Sequence, residues 1–558
     1  MPLIRPAKLL SVLAFSAVFG SCAGLPTPDA RAPAPQDPGL VLRGRVVTMN
    51  DRDEVIQDGR VWVRNGRIES VLRASDPLPA AAAGARSVDT GGVIYPGLID
   101  IHNHPEYAAF PLMPLKRRYA DRYEWRFYDE DYTRRITNAN VVVSGADFLA
   151  LGSDMGRYGE FMALAGGTTS LQGGGTGPSP GTTEVHGRHF RPHAMPGCLV
   201  RNVETETLGD LGRQVRSAVD MGRDVPEWER LRLAVSSGPL ILHLAEGVSR
   251  RMADEFRSIR NSGLLNANLV VVHGVGLDAS HFEPMAKAGA KLAWSPLSNF
   301  MLYGKTADVR AAHAAGVEIS LTPDWAPSGS KSLLGELKVA DRVNRHALKG
   351  LFSDRDLVRM ATRHPASALG WQGVAGQVAP GFVADLLVVD GRHDDPYRNL
   401  IQATEREVRA TVVRGDALFG DTGLVRSLRG GDTGLEALSD LLPREKSLAP
   451  QCEARDAGYR EVTARLAKAL AFDGAYTLER MGGPRVAQEL TRCPAEPPVA
   501  QPPTPGDAAR MLKCRFGLPF ETTPLMGLTT VADGEYWKRY ATIPHLPDFL
   551  KTLQDDFR

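Results

Sequence analysis

Hydrophobic and polar positions follow two different patterns along the chain. Residues 40–95 alternate apolar and polar side chains in short runs, and Asn65-Gly66 between two such runs is a strong hairpin signal. A second stretch of this kind covers residues 381–416. Residues 96–370 instead alternate short apolar runs with helix-like stretches, which favours repeated βα units. We therefore predict an α/β protein: a (β/α)₈ TIM-like barrel with a small β-sandwich built from segments on both sides of it.

The central region contains seven candidate strands, and residues 199–203 are either the third or the fourth of the barrel. Residues 105–146 are predicted to form a long loop over the barrel mouth, and residues 430–558 an appendage with helices near 455–472 and 476–491. The candidate strands are 98–102, 167–172, 199–203, 240–244, 269–273, 290–294 and 317–322. The candidate helices of the central region are 147–165, 249–260, 306–315 and 353–363.

The amino-acid composition and net charge indicate which class of protein and which kind of partner to expect. The 558 residues are 43% hydrophobic and 23% charged, which is typical of a globular protein. A net charge of +1 provides no electrostatic reason to expect a nucleic-acid partner. A small-molecule substrate is the expected partner, and the sequence leaves a homo-oligomer open.

The N-terminus has the features of an export signal. Arg5 and Lys8 precede an apolar stretch, then Gly20-Ser21 and Cys22. This order resembles a bacterial lipoprotein signal, which predicts a cell-envelope protein anchored through an acylated Cys22; ordinary secretion is the alternative. The predicted segments are a signal (1–22), a Pro-rich tether (23–39), the first sandwich part (40–95), the barrel (96–370), the second sandwich part (371–425) and the appendage (426–558).

Four further cysteines lie at 198, 452, 493 and 514. Three of them fall in the appendage, where an exported protein permits a disulfide. Sequence does not determine the pairing. None has the CxxC spacing of a cysteine-based zinc site.

Candidate metal ligands occur where the apolar runs end. His102 and His104 follow the run 93–101, and their spacing of two places both on one side of a strand. His243 and Asp324 end two later runs. The active-site face of a barrel lies at the C-terminal ends of its strands, so these four side chains are expected to meet and to bind one divalent metal. Imidazole and carboxylate ligands suit zinc, with iron as the alternative.

Two more residues complete the predicted chemistry. A metal with an open coordination position lowers the pKa of bound water from about 16 toward about 7. Glu246, three residues after His243, is predicted to transfer protons, and His273 to contact the water or the substrate. The catalytic set is thus Glu246, His273 and Asp324. Trp294, Asn299 and Trp325 are candidate substrate-binding residues; packing of the two indoles and helix capping near Asn299 are the alternatives.

Several motifs, taken in their order along the chain, resemble those of the amidohydrolase superfamily. The resemblance is in particular to its cytosine-deaminase, S-adenosylhomocysteine-deaminase and triazine-hydrolase branch. The resemblance implies that His102, His104, His243 and Asp324 bind one metal, that Glu246 shuttles protons, and that His273 contacts water or substrate. Residues 199–207 contain no lysine, so a carboxylated lysine is excluded there, while Glu204 or Glu206 remains a candidate bridge to a second metal. The motifs that carry the resemblance are Pro96–His104, Ala165–Thr169, His243–Glu246, Val272–Gly274, Ser295–Asn299, Asp324, Ala361–Gly370 and Gly376–Leu386.

The sequence therefore predicts a metal-dependent hydrolase that cleaves a carbon–nitrogen bond, other than a peptide bond, in a small substrate. Deaminase and amidase activities both remain open. The alternative is a surface-anchored binding protein that keeps the barrel without the chemistry.

Overall fold

The computed structural model describes most of the chain beyond the N-terminal region. The described residues are 37–173, 183–185, 188–190, 197–206, 208, 214–218, 225–438, 445–453, 456–493, 502–518 and 522–558, with backbone only for 183–185 and 188–190. The predicted signal, Cys22 and most of the predicted tether lie outside these residues. Within them, no helix is both long and apolar enough to cross a bilayer.

The strands divide into four sheets. One has nine strands, one five, one three, and the last is a two-stranded hairpin. In chain order they are β1 (Leu40–Val47), β2 (Val55–Arg64), β3 (Arg67–Arg73), β4 (Arg86–Pro96), β5 (Leu98–Asp100), β6 (Thr168–Leu171), β7 (Thr183–Val185), β8 (Arg188–Phe190), β9 (Arg201–Asn202), β10 (Arg216–Ala218), β11 (Leu240–Leu244), β12 (Leu269–His273), β13 (Lys291–Trp294), β14 (Ile319–Leu321), β15 (Leu386–Asp390), β16 (Val408–Val413), β17 (Asp416–Asp421), β18 (Glu436–Ala437) and β19 (Lys446–Leu448).

Helices lie between the central strands and fill the C-terminal region. They are α1 (Arg122–Tyr128), α2 (Glu130–Tyr132), α3 (Ala139–Ser144), α4 (Gly152–Ala165), α5 (Val225–Ser237), α6 (Arg251–Asn261), α7 (Ala279–Ala288), α8 (Pro296–Tyr303), α9 (Val309–Ala315), α10 (Leu333–His346), α11 (Asp354–Arg359), α12 (Arg363–Ala368), α13 (Pro396–Gln402), α14 (Thr422–Arg429), α15 (Tyr459–Leu470), α16 (Gly474–Met481), α17 (Gly483–Leu490), α18 (Pro505–Phe516), α19 (Gly534–Tyr540) and α20 (Asp548–Lys551).

The two outer β segments form a single sheet. Its order is β18-β19-β17-β16-β15-β4-β1-β2-β3, so β4 and β15, far apart in sequence, are antiparallel neighbours. The association of the two segments agrees with the prediction, but the predicted β-sandwich is not confirmed. Sequence alternation shows that a strand has one buried face, yet it does not say whether a second sheet or helices cover that face.

Eight parallel strands form the central region. One sheet has the order β5-β6-β9 and the other β10-β11-β12-β13-β14. The run 199–203 is therefore the third strand. The fourth, β10, was missed because its three residues, Arg-Ser-Ala, form no apolar run.

The ends of these two sheets approach each other at the predicted metal site. An isolated parallel bridge pairs Asn103, just after β5, with Asp324, just after β14. The amide of His104 donates to the carbonyl oxygen of Asp324 over 3.0 Å. These contacts bring the first and last parallel strands together at their C-terminal ends.

The segment 105–146 is not the long loop that the sequence predicted. It contains α1, α2, α3 and a π-helical turn, Thr133–Asn138, and much of it is buried. The Asp121 carboxylate caps α1 by accepting from the amides of Tyr123 and Glu124. The Asp129 carboxylate caps α2 in the same way, and Glu124 forms an ion pair with Arg117.

Two disulfides attach parts of the C-terminal region. Cys493 bonds to Cys514 within the appendage, where the sequence permitted a bridge without determining its partners. Cys198 bonds to Cys452 across 254 positions, a pairing that the sequence had left open. The second bond joins the segment before β9 to the appendage.

Candidate metal centre and active site

The four predicted metal ligands converge at the C-terminal ends of the parallel strands. One ligand atom from each of His102, His104, His243 and Asp324 lies within 4.8 Å of the others. The Nε2 atom of His102 is 3.0 Å from Oδ1 of Asp324, and that of His104 is 3.8 Å from the same oxygen. The ring centroids of His102 and His243 are 4.6 Å apart. Side chains separated by as many as 222 positions therefore form one cluster.

A left-handed backbone conformation sets the direction of two side chains at the site. Asp324 has φ 70° and His273 has φ 68°, in the left-handed region that non-glycine residues rarely adopt. Strand alternation places His273 on the same side as Val271, which packs in a different hydrophobic cluster from Val270 and Val272. The left-handed turn breaks that alternation, and the ring of His273 lies 5.4 Å from that of His102.

The protonation states suit a divalent metal. Burial lowers the pKa of His104 to about 3 and also lowers the pKa values of His102 and His243. Burial alone would raise the pKa of Asp324, but the neighbouring histidines outweigh burial and hold it below its usual value. At neutral pH the cluster therefore offers three neutral imidazoles and one carboxylate, the forms that bind a metal.

Hydrogen bonds outside the cluster orient its members. The Ser298 hydroxyl donates to Oδ2 of Asp324 over 2.6 Å, which leaves Oδ1 facing the histidines. Nδ1 of His243 lies 3.4 Å from the carbonyl oxygen of Ala218, which directs Nε2 toward the cluster. Such outer contacts commonly fix ligand orientation in metal sites.

Glu246 and His273 lie beside the ligand cluster. Oε2 of Glu246 is 3.7 Å from Nε2 of His273, and both side chains are buried. Oε1 of Glu246 accepts a 2.6 Å hydrogen bond from the Tyr303 hydroxyl. Burial raises the pKa of Tyr303 well above its usual value, and the charge of Glu246 adds to this effect, so the phenol stays protonated and donates.

Two of the predicted substrate-binding residues lie in the core instead. Nδ1 of His273 is 3.0 Å from Oδ1 of Asn299, so this contact places the Nδ1 proton of His273 toward the amide oxygen. The Asn299 amide and the Trp294 indole both donate to Thr306, over 3.2 and 2.7 Å. Asn299 and Trp294 have no exposed surface. Asn299 therefore orients His273 directly, and Trp294 does so through Thr306.

Trp325 belongs to an aromatic wall over the site. Its ring centroid is 6.2 Å from that of His104, 5.2 Å from Tyr107, 5.7 Å from Trp125 and 6.2 Å from Tyr132. Three of these neighbours come from the segment 105–146. The side chain of His104 is 22% exposed, more than the 2% and 5% of His102 and Asp324, so the ligand cluster is most accessible at His104.

Sequence reasoning missed Tyr303 and Glu106. Tyr303 lies four residues after Asn299 on α8, and this helical spacing places both on one face, a signal that was present in the chain. Glu106 is buried, and its Oε1 lies 3.9 Å from Nδ1 of His104. Burial raises the pKa of Glu106 to about 8.

The two candidate bridging carboxylates differ in their partners. Glu206 forms ion pairs with Arg201 and Arg414. Glu204 is buried and accepts a hydrogen bond from Ser217, on the neighbouring strand β10. Among the described residues, neither occurs in a group of converging metal-ligand atoms, whereas His243, Glu246 and His273 form a second such group beside the four-ligand cluster.

Comparison with known proteins agrees with this geometry. Residues 241–418 match the amidohydrolase family. A 5-methylthioadenosine/S-adenosylhomocysteine deaminase from Syntrophobacter fumaroxidans is 25% identical over 425 residues, which cover 69% of this chain and 94% of that protein. The enzyme of the same name from Halobacterium salinarum is 33% identical over 174 residues, 28% of this chain and 39% of the relative.

Solved structures share the fold. A mutant atrazine chlorohydrolase from Arthrobacter aurescens, complexed with zinc and atraton, superposes with a TM-score of 0.54 at 21% identity, over 68% of this chain and 95% of that one. A zinc-bound adenosine deaminase from Xanthomonas campestris superposes with a TM-score of 0.53 at 19% identity, over 70% and 97%. Residues 241–418 therefore resemble the amidohydrolase family, and the solved structures share the fold of this chain over about two thirds of its length.

Proposed function

We propose that this protein is a metal-dependent hydrolase that cleaves a carbon–nitrogen bond, other than a peptide bond, in a small planar substrate, and that the reaction is a deamination. The carrying observation is the cluster of three neutral imidazoles and one carboxylate beside the buried Glu246–His273 pair. The alternative of a binding protein without chemistry is not favoured, because binding alone does not require a proton-transferring pair beside the ligands.

The donor set fits a divalent cation, and we propose zinc, with iron as the alternative. His102, His104, His243 and Asp324 would hold it, and solved neighbours that share the fold carry zinc. When bound, the ion lowers the pKa of water and polarises the substrate atom under attack.

Glu246 is the residue that moves protons in this proposal. Tyr303 occupies its Oε1, so Oε2 is the oxygen that faces His273 and the reacting atoms. Oε2 accepts a proton from the attacking water and delivers it to the departing nitrogen, which leaves as ammonia. The buried Tyr303 phenol keeps the carboxylate in one orientation during both transfers.

His273 orients the reacting water or the substrate. Because its Nδ1 proton faces Asn299, the atom presented to the site is Nε2. That nitrogen contacts the attacking oxygen while Glu246 takes the proton. Asn299, Thr306 and Trp294 hold this ring in place through their chain of hydrogen bonds.

The aromatic wall supports a planar substrate. Trp325 and Tyr107 lie beside His104, where a flat ring would stack with its amino-bearing carbon near the four ligand side chains. The curated relatives named above are deaminases, which favours deamination over amide hydrolysis.

Three wider proposals accompany this function. We infer that the two parallel sheets close into a (β/α)₈ barrel, supported by the bridge between Asn103 and Asp324. The domain boundaries predicted from sequence are retained as proposals. Export and lipid anchoring through Cys22 are proposed from the N-terminal sequence, and the two disulfides are consistent with an oxidising compartment.

Ammonia release tests the activity. Purified protein loaded with zinc is incubated with 5′-methylthioadenosine, S-adenosylhomocysteine, adenosine, guanine and amino-substituted triazines, and ammonia is measured alongside metal content. We expect turnover of at least one compound at one metal per chain. Metal-loaded protein with no turnover on aminated rings, amides or lactams would contradict the proposal, and so would activity that survives in the Glu246→Gln variant.

A further inference from the structure

The C-terminal segment, residues 522–558, lies beyond the family match, which ends at residue 418. Solved neighbours are matched over 95% and 97% of their own length, but over only 68% and 70% of this chain. A part of this chain therefore has no matched counterpart in them. The contacts of the C-terminal segment lead directly to the metal site.

The first part of the connection is the loop 323–332, which begins at the metal-ligand strand end. Ser298 donates to Asp324, and its hydroxyl lies 3.0 Å from that of Ser328 in the loop. The Trp325 indole donates to the same Ser328 hydroxyl over 2.5 Å. The position of Ser328 therefore affects both the metal ligand and the aromatic wall.

The second part is a buried attachment of this loop to the C-terminal segment. The Lys331 ammonium donates to the carbonyl oxygens of Gly527 and Thr529, over 2.8 and 3.2 Å, and to the carboxylate of Asp533. The Tyr536 hydroxyl donates to the carbonyl oxygen of Gly329 over 3.2 Å. The Lys331 side chain has no exposed surface, and that of Asp533 is 6% exposed.

Asp533 organises its own side of this attachment. Its carboxylate accepts from the amides of Gly527 and Tyr536, over 2.7 and 2.9 Å. Burial lowers the pKa of Lys331 to about 8. Burial alone would raise the pKa of Asp533, but Lys331 and the two amides lower it. The charged pair is thus maintained at neutral pH by mutual contact.

The same segment contacts two other parts of the site. The amide of Met526 donates to the carbonyl oxygen of Ala109, in the stretch that follows His104 and Tyr107. Nε2 of His545 lies 2.7 Å from the carbonyl oxygen of Met301, on the helix that carries Ser298 and Tyr303. The C-terminal segment therefore contacts the loop 323–332, the stretch after Tyr107 and helix α8, through backbone groups and through the side chains of Asp533, Tyr536 and His545.

We infer that Lys331 and Asp533 are positioning residues of the active site: their ion pair holds the loop 323–332 and, through Ser328 and Ser298, sets the direction of Asp324 and Trp325. This inference rests on the proposed function for the role of Asp324 as a metal ligand. If the ion pair only attached the C-terminal segment, its loss would lower the stability of the protein and leave the metal site unchanged. A positioning pair changes metal affinity and substrate binding in the folded protein.

The test compares two ion pairs that both attach the C-terminal segment. Asp533→Asn weakens the pair that contacts the loop. Asp556→Asn is the matched control, since Asp556 accepts two hydrogen bonds, over 2.6 and 2.8 Å, from Arg342 on α10, which lies after the loop. Full-length protein is titrated with Co²⁺ against a chelator, the visible absorption of the cobalt form is recorded, and kcat and KM are measured on any substrate found above.

We expect Asp533→Asn to weaken cobalt binding about tenfold, to change the visible spectrum and to raise KM, because contacts outside the ligands commonly contribute this much to metal affinity. Asp556→Asn should leave the cobalt affinity and KM within twofold of the wild-type values and the visible spectrum unchanged. Equal effects of the two variants, or unchanged cobalt binding in Asp533→Asn, would overturn the inference.

A second variant tests the same inference if Asp533→Asn does not fold. Removing one partner leaves a buried charge, whereas Lys331→Met/Asp533→Leu removes both charges and is expected to fold. We expect this double variant to show the same weaker cobalt binding and changed visible spectrum. A spectrum identical to that of the wild type would overturn the inference. Wild-type protein that binds no cobalt would overturn the proposed function and this inference together. Wild-type protein that binds cobalt without turnover would contradict only the proposed function.

Discussion

The strand ends and the C-terminal segment both act on the metal ligands, but by different kinds of contact. At the strand ends the side chains themselves form the site, each placed by the run of buried residues before it. The C-terminal segment contributes the carbonyl oxygens of Gly527 and Thr529, the Asp533 carboxylate of a buried ion pair and the His545 ring. The first kind of contact depends on residue identity at a few positions, and the second on the correct path of a long chain.

This difference predicts different consequences of substitution. Changes at the strand ends should abolish chemistry while the fold survives. Changes in the C-terminal segment should reduce affinity or stability by graded amounts. The following experiments test the contrast from the largest expected effect to the smallest.

Asp324→Ala should have the largest effect. It removes the carboxylate that contacts both His102 and His104, so we expect metal content near zero and activity reduced by at least about 1,000-fold. Elemental analysis and ammonia release provide the measurements. Ser298→Ala is the control, because it removes only the outer hydrogen bond and should cost about tenfold in metal affinity. Full metal content in Asp324→Ala would contradict the ligand assignment.

Glu246→Gln should separate chemistry from metal binding. The amide keeps the shape of the side chain but does not accept a proton, so we expect kcat to fall about 100- to 10,000-fold at normal metal content. Tyr303→Phe removes the 2.6 Å hydrogen bond to Oε1 and should produce a smaller loss of the same sign. A larger loss from Tyr303→Phe would assign the proton transfer to the phenol instead.

Trp325→Ala should act on substrate binding. The ring contacts Tyr107, Trp125 and Tyr132 over the site, and its loss removes a stacking surface. An aromatic contact is worth about 1 kcal/mol beyond burial, so we expect KM to rise roughly five- to tenfold with a smaller change in kcat. Steady-state kinetics at constant metal content measure this. An unchanged KM would place the substrate elsewhere in the mouth.

The disulfide within the appendage should affect stability and leave the chemistry intact. Cys493 and Cys514 close a loop of 21 positions, for which chain entropy predicts about 3 kcal/mol of stabilisation. A Cys493→Ser/Cys514→Ser variant should therefore unfold at lower denaturant concentration, with kcat unchanged at 25 °C. A fall in kcat without a fall in stability would show that this part of the appendage also contributes to the site.

Glu336 should produce the smallest effect, visible only as a pH dependence. Burial raises its pKa from about 4.5 to about 8. The folded state therefore binds more protons than the unfolded state between these values, so this group makes the protein less stable as pH rises from about 4.5 to 8. Glu336→Gln should remove that slope, so its stability relative to wild type should be greater at pH 8 than at pH 4.5, measured by denaturant unfolding at both pH values. An unchanged slope would show that the carboxyl is charged in the folded protein.

How well the sequence predicts a region depends on how far apart in the chain its interacting residues lie. His102, His104, His243 and Asp324 could be predicted because each follows directly on an apolar run, and parallel strands bring such positions to one edge. The strand β10 could not, because its burial depends on neighbours rather than on its own side chains. Trp294 and Asn299 are buried near the site, and their shared contact with Thr306 could not be predicted from the sequence.

The segment 105–146 and the C-terminal segment were harder for a different reason. Charged and aromatic residues such as Asp121 and Tyr132 are compatible with a solvated loop or with helix caps and ring contacts. Lys331 and Asp533 are 202 positions apart, and nothing local indicates that either is buried. Only tertiary contact decides between these possibilities.

The bond between Cys198 and Cys452 has a practical consequence for anyone who prepares this enzyme. It forms only after translation has passed residue 452, and it needs an oxidant. Material produced in a reducing cytoplasm would lack that cross-link beside β9, even when the polypeptide is complete. A thiol count on each purified batch should therefore precede any conclusion drawn from a missing activity.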